Sequence, residues 1–196
     1  VEQLVARWAQ PRGQLLDTKQ KGDIAEQAAI LQALKFGWGV LKPVGDRLPY
    51  DLVFDVDGTL IKIQVKYAWF DGVRGNYVVD NRRTKTNRRQ MLRSAYSEQD
   101  FDFAIAYIAD RELFYIFPVA VFISFASEIH LVETDRRQRK PRSAAYRDAW
   151  QLIERRAAYR ETGMRTSVEF GEAFSGVIPS QASETEEGVE TEWQTP

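Results

Sequence analysis

The sequence predicts an α+β domain in which an N-terminal helix precedes a mixed, mostly antiparallel sheet and a second helix closes the chain. Three stretches carry that prediction. "GDIAEQAAILQALKFGWG" (22–39) is rich in helix formers and ends in a glycine stop. "DLVFDVDGTLIKIQVKY" (51–67) alternates apolar and polar residues around an Asp-Gly pair, the mark of a two-residue hairpin. "DFAIAYIADRELFYIFPV" (102–119) is two apolar runs separated by a short polar break.

The elements follow in order. Residues 1–20 include "AQPRGQ" and read as an N-terminal arm or short helix. The main domain is expected over 21–162. Its first helix takes Asp23 as N-cap, Ile24, Ala28, Leu31 and Leu34 as an apolar stripe, and Gly37 as its stop. A strand near "GVLKPV" leads to the hairpin, and "GNYVVD" is a further strand running into a basic segment. The two apolar strands turn near Asp110 and Arg111, and "EIHLVE" is the last strand. Ser143 is expected to cap a helix running to about Arg160, with Ala149, Leu152, Ile153 and Ala157 on its packing side. Periodicity fades after Gly163, so 163–196, acidic from 184, is expected to be a disordered tail.

Composition removes several function classes. The 196 residues suffice for one domain with a real core, and the longest apolar run, "VAVFISFA", is far too short to span a bilayer. No basic stretch followed by an apolar core marks a secretory signal. Without cysteine there is no disulfide, thiol nucleophile or zinc–thiolate site, which fits an intracellular, cytoplasmic protein. His130 is the single histidine and alternates with Ile129 and Leu131 along a strand, which points to a structural or surface role.

The net charge of −1 hides an uneven distribution. Five glutamates and no Lys or Arg fall in 180–196, so the remainder carries 27 basic against 23 acidic residues. Arg82, Arg83, Lys85, Arg88, Arg89 and Arg93 lie in "RRTKTNRRQMLR" with no acid among them, and "RRQRKPR" (136–142) is a second cluster. Two such runs in one small domain point to a polyanion, nucleic acid first.

The hairpin fixes a chemical register. With Asp57-Gly58 as its loop, Val56 faces Thr59, and Asp51 falls opposite Gln64 with Cβ atoms roughly 5 Å apart. Lys66 projects from the same face as Gln64. Leu52, Phe54, Val56, Ile61, Ile63, Val65 and Tyr67 form the opposite, apolar face. A carboxylate and an amide oxygen at that separation suit Mg2+, with the Val65 carbonyl as a third oxygen and Mn2+ as a substitute. A lysine beside the ion can orient water or stabilise charge on a phosphate. The same three residues would also be ordinary on a solvent-facing strand.

"PYD", twelve residues, then "QVK" resembles the PD-(D/E)xK nuclease motif with Gln64 in place of its second acid. "GDIAEQAAILQALKFGWGVLKPVGDRLPYDLVF", "GNYVVDNRRTKTNRR" and "EIHLVETDRRQRKPRS" resemble the PD-(D/E)xK homing endonucleases encoded in bacterial group I introns, over about 21–160. The resemblance implies a restriction-endonuclease-like core and a site-specific, Mg2+-dependent double-stranded DNA endonuclease. Asp51 would be a metal ligand, Gln64 an amide-oxygen ligand and Lys66 the catalytic lysine. Glu26 would approach from the helix, directly or through water. As alternatives, Glu26 would be a capping-box partner of Asp23, and Asp51 a turn residue after Pro49.

"NYVVDNRRTKTNRR" is the best DNA-reading segment, with Asn81, Arg82, Arg83, Lys85, Asn87, Arg88 and Arg89 as its donors. Arg47, Arg137, Arg139 and Lys140 are expected on the phosphate backbone. Cutting both strands requires at least a two-fold assembly and a palindromic or near-palindromic target, and the resemblance implies a homo-tetramer. The 143–160 helix and the segment around 114–125 are candidate interfaces or, equally, internal core. Two other functions fit the residues: a catalytically silent DNA-binding protein, and a structure-selective nuclease such as a junction resolvase.

Overall fold

The computed structural model describes residues 17–45, 47–86, 91–134 and 141–161. Helix α1 (Thr18–Lys35) begins five residues before the Asp23 expected to cap it. Asp17 is the N-cap: its side chain accepts from Gln20 N at 2.7 Å, and Gln20 Oε1 accepts from Asp17 N at 3.2 Å. This closed capping box wins because it satisfies two N–H groups reciprocally. The helix therefore crosses the expected boundary at residue 20, and Glu26 lies in its interior, free of any capping duty.

The buried stripe of α1 is Ala25, Ala29 and Ala33, one residue away from the expected one, while Leu31 and Leu34 are more than half exposed. Alanines at i, i+4 and i+8 let the helix axis come close to a sheet, which the bulkier residues would prevent. Gly37, at φ +80°, takes the left-handed conformation expected of the stop.

The central sheet has the order β1 (Gly39–Leu41), β2 (Leu52–Val56), β3 (Thr59–Tyr67), β8 (Phe103–Ile108), β9 (Leu113–Pro118). The β2–β3 hairpin has the expected register, Leu52 opposite Ile63 through Val56 opposite Thr59. Asp57 and Gly58 have φ of 51° and 84°, so both loop residues take the positive values that a type I′ turn requires. Strand β3 pairs with β8 in parallel, Gln64 beside Ala104 and Lys66 beside Ala106, and every other pairing in this sheet is antiparallel.

The excursion between β3 and β8, with the segment after β9, builds the rest. Strands β4 (Trp69–Asp71), β5 (Asn76–Asp80) and β10 (Glu128–Leu131) form a three-stranded sheet with β5 in the middle. Strands β6 (Arg82–Thr86) and β7 (Met91–Ala95) pair as a separate two-stranded ribbon. A short helix, α2 (Val119–Ile123), follows β9.

The chain closes on α3 (Gln151–Glu161), which begins later than expected from Ser143. Residues Arg142–Tyr146 form a 3-10 turn, Arg147 makes a bridge to Tyr115, and Asp148 takes φ 47°, so the path breaks before the helix starts. Ala149, Leu152, Ile153 and Ala157 are buried, as are Phe114, Tyr115, Ile116, Phe117 and Phe122. Both candidate interfaces are thus largely internal core. No helix among the described residues is long and apolar enough to cross a membrane.

Candidate active site

The strand alternation sorts the hairpin as its register requires. Leu52, Phe54, Val56, Ile61 and Ile63 are fully or almost fully buried on one face. On the other, Asp51 sits one residue beyond the last paired position, where its N–H donates to Ile63 O at 2.9 Å. That bond carries Asp51 to the side of Gln64.

Asp51 and Gln64 meet directly. Gln64 Nε2 donates to Asp51 Oδ2 at 2.5 Å and to Val65 O at 3.1 Å, and Val65 N donates to the same Asp51 oxygen at 2.8 Å. Two oxygens of the expected ligand set, Asp51 Oδ2 and Val65 O, therefore converge on one point, where the amide nitrogen stands. Gln64 itself is buried, so the motif's neutral residue is not a solvent-facing strand residue. Ala104 and Ala106 flank Gln64 and Lys66 across the parallel pairing, and their small side chains leave room for both.

Burial pushes the Asp51 carboxyl up to about 6; the Val65 N–H works against the shift and Glu26 adds to it, while Lys66 and Lys42 oppose it. Burial also lowers the pKa of the Lys66 ammonium, a shift that Asp51 and Asp80 oppose. Burial thus shifts an acid up and a base down in the same place, the pattern that catalytic centres share with some structural networks.

Lys66 does not pair with Asp51. Its Nζ donates to the carbonyl of Arg82 at 3.0 Å and lies over the Tyr96 ring, 5.0 Å from the centroid. Glu26 touches neither Asp51 nor Gln64 through a hydrogen bond. Its Oε2 is held by Lys42 Nζ at 2.7 Å, and that bond, ahead of the opposing effect of burial, raises the Lys42 pKa. Glu26 is close enough to act on Asp51 through space, in keeping with an approach from the helix short of direct contact.

Among the described residues no three His, Asp or Glu side chains gather to hold a metal. A divalent ion here would need neutral oxygens beside Asp51, and those of Val65 and Gln64 meet that need. The fit is good for a hard cation that takes oxygen ligands. It requires Gln64 to present its amide oxygen rather than its nitrogen, a half-turn of the amide.

The expected DNA-facing residues separate into three groups. Asn81 is buried, its Nδ2 donating to the carbonyls of Phe122 at 3.3 Å and Phe125 at 3.0 Å, so it ties β5 to the α2 segment and presents no amide at the surface. Asn81 lies in the single-residue link between β5 and β6, and its amide is taken up by these two carbonyls. Arg82 pairs with Asp80 at 3.0 Å, and Arg83 Nη2 donates to the carbonyls of Arg47 at 2.9 Å and Leu48 at 3.1 Å, bracing the segment before Asp51. Lys85 lies in β6 opposite Leu92. Asn87, Arg88, Arg89, Arg137, Arg139 and Lys140 lie outside the described residues.

Three groups around the site went unread in the sequence. Lys42, Asp80 and Tyr96 are separated from the motif by long stretches of chain, and no spacing rule connects them to it. Lys42 stood in the "GVLKPV" strand beside the helix, where a cross-element pair with Glu26 was the one available signal.

Comparison with known proteins gives the family. Residues 16–153 match the family model described as PD-(D/E)XK endonuclease. A solved structure described as the bacterial homing endonuclease I-Ssp6803I is similar at 66% sequence identity and TM-score 0.71, over 74% of this chain and 99% of that one. Comparison with curated proteins gives no match.

Proposed function

Because the chain belongs to the PD-(D/E)XK endonuclease family, we propose that Asp51, Gln64 and Lys66 are the centre at which it hydrolyses phosphodiester bonds of DNA. The chain is a site-specific DNA endonuclease, in keeping with its homing-endonuclease neighbour. The observation that carries the site assignment is the convergence of Asp51 Oδ2 and Val65 O on the Gln64 amide, with Lys66 rising from the same strand face.

Mg2+ is the proposed cofactor, with Mn2+ able to replace it, and Asp51, the Val65 carbonyl and the Gln64 amide oxygen would hold it. Such an ion supplies positive charge that polarises the phosphate and makes water a stronger nucleophile. The protein's own groups do the rest. Asp51 brings the one formal negative charge of the ligand set. Glu26 adds a second from the helix and compensates for the neutral Gln64. Lys66 offers its ammonium to the phosphate oxygens as charge builds on them, in a place where burial strengthens the interaction. Water's oxygen bonds to phosphorus and gives up a proton to solvent, the bond from phosphorus to the leaving deoxyribose oxygen breaks, and that oxygen takes up a proton from solvent.

The proposed substrate is a double-stranded, palindromic or near-palindromic site. One centre cuts one strand, so a homo-oligomer, a tetramer by family likeness, would bring two centres to the duplex. The test is cleavage of a randomised duplex library with Mg2+ and sequencing of the ends. Recurrent, symmetric ends with wild type and none with Asp51→Ala are expected. Cleavage that survives Asp51→Ala would overturn the site, and binding without cleavage in Mg2+ and Mn2+ would leave a DNA-binding module.

A further inference from the structure

Lys66 is gripped from both legs of the β6–β7 ribbon. Its Nζ donates to the carbonyl of Arg82, the first residue of β6, and lies over the ring of Tyr96, the residue directly after β7 ends at Ala95. Asp80 fastens the same two legs. Its Oδ1 accepts from Arg82 N at 2.9 Å and Arg82 Nε at 3.0 Å, and its Oδ2 lies 3.9 Å from Arg93 Nη1. None of the ion pairs among the described residues includes Lys66. The place of the ammonium is therefore set by the feet of the ribbon and not by the neighbouring carboxylate.

Arg82, Arg83, Thr84, Lys85 and Thr86 pair with Ala95 back to Met91, giving a two-stranded arm of the kind that a major groove admits. Its base touches the core: Tyr96 packs edge-on against Phe101 at 5.0 Å between centroids, and beside Phe122 at 6.2 Å, both fully buried. A displacement of the arm by bound DNA has its first effect at the two points that hold Lys66.

We propose that the β6–β7 ribbon couples DNA engagement to catalysis through Lys66, and that Tyr96 is the positioning residue of that coupling. Seating the arm on the target shifts the Arg82 carbonyl and the Tyr96 ring together and brings the ammonium into register with the scissile phosphate. On a wrong site the arm seats differently, the ammonium stays misplaced, and binding goes without cutting. The inference rests on the Asp51 centre being the nuclease site.

The experiment uses a duplex selected from the randomised library. Single-turnover cleavage in Mg2+ and equilibrium binding without cleavage in Ca2+ are measured for Tyr96→Leu, Tyr96→Phe and Asp80→Asn, with melting temperature as the check on folding. Tyr96→Leu loses the ring under the ammonium and is expected to cut about tenfold slower, with binding changed by less than about twofold. Tyr96→Phe keeps the ring and restores the rate. Asp80→Asn loosens both legs without removing a contact of Lys66 and slows cutting by a similar factor at pH 6.5 and 8, whereas a loss confined to the higher pH would trace to the charge removed from around the ammonium and count against the coupling. A folded Tyr96→Leu that cuts at the wild-type rate overturns the coupling, as do equal losses in the Leu and Phe variants or a loss seen wholly in binding. If Tyr96→Leu does not fold, Asp80→Asn decides, and an unchanged rate overturns the proposal. Lys66→Ala in the same assay separates the two readings: wild-type cleavage by that variant would refute the nuclease centre itself.

Discussion

Gln64 Nε2 donates to Asp51 Oδ2 at 2.5 Å and to the Val65 carbonyl at 3.1 Å, so the neutral residue of the motif fills the point that its oxygen neighbours share. The amide N–H groups do there what a cation would do, drawing two oxygens together. This explains how a buried carboxylate is tolerated without a positive partner in contact. It also gives the departure from the family's acidic residue a physical consequence.

Gln64→Glu removes that donor and sets a second carboxylate against Asp51 in a buried place. Without metal the variant is expected to be less stable by about 1–3 kcal/mol. With Mg2+ it gains more than wild type does, because the ligand set now carries one more negative charge. Differential scanning fluorimetry with EDTA and with Mg2+ measures both, and part of the cleavage activity is retained. Equal Mg2+ shifts in the two proteins would mean that position 64 takes no part in binding the ion.

Asp51 predicts a pH effect whose sign is fixed by its shift. Burial raises its pKa to about 6 in the fold from an ordinary value of 3.8. The folded state thus holds the proton more tightly than the unfolded chain. The stabilising contribution is complete below about pH 4 and is lost as pH rises through 6. Asp51→Asn has no such loss, so in EDTA its melting temperature should gain on wild type between pH 5 and 8. A constant difference across that range would refute the assignment, and the same variant should not cleave DNA at any pH.

Lys42→Ala tests the cation opposite Glu26. The pair is partly exposed, with Lys42 at 52% and Glu26 at 24% side-chain exposure, so the stability cost is expected below about 1 kcal/mol. Removing a positive charge beside two acids that face the ion should lower the Mg2+ concentration for half-maximal cleavage about two- to threefold. A weaker Mg2+ requirement in Lys42→Ala and a stronger one in Glu26→Gln would place Glu26 beside the ion. No change in either would leave Glu26 a surface partner of Lys42.

The hairpin was legible because its information is local. Asp57-Gly58 sets the turn, the turn sets the register, and the period of two places Gln64 and Lys66 on one face. The burial of that face was not legible, since it depends on the β6–β7 ribbon closing over Lys66, with Arg82 16 residues away and Tyr96 farther still. The same limit explains α1. Its stripe was placed one residue off because periodicity alone does not choose between Leu31 and Ala29, and only the closeness of the sheet favours the alanines. Ser143 looked like an N-cap by type, yet its hydroxyl donates to His130 O at 3.1 Å, and the helix waits for Gln151.

Asp102 is a buried acid near β3 and shows what a structural carboxylate looks like beside the half-buried Asp51 proposed for the site. Its Oδ2 accepts from Lys62 N at 2.8 Å, its Oδ1 from Arg160 Nη2 at 2.6 Å, and Arg156 Nη2 lies 3.7 Å away. Those bonds fasten α3 to the strand that carries Gln64 and Lys66. Asp51, by contrast, has only N–H donors in contact and is left to attract a cation. Asp102→Ala therefore removes the carboxylate that Lys62 N and Arg160 Nη2 share and that faces Arg156, and should cost about 2–3 kcal/mol. Urea denaturation measures the loss. The cleavage rate per folded molecule should stay within about twofold of wild type, whereas Asp51→Ala should keep its fold and lose its activity. A folded Asp102→Ala that has lost its rate would move Asp102 from the frame of the site into its chemistry.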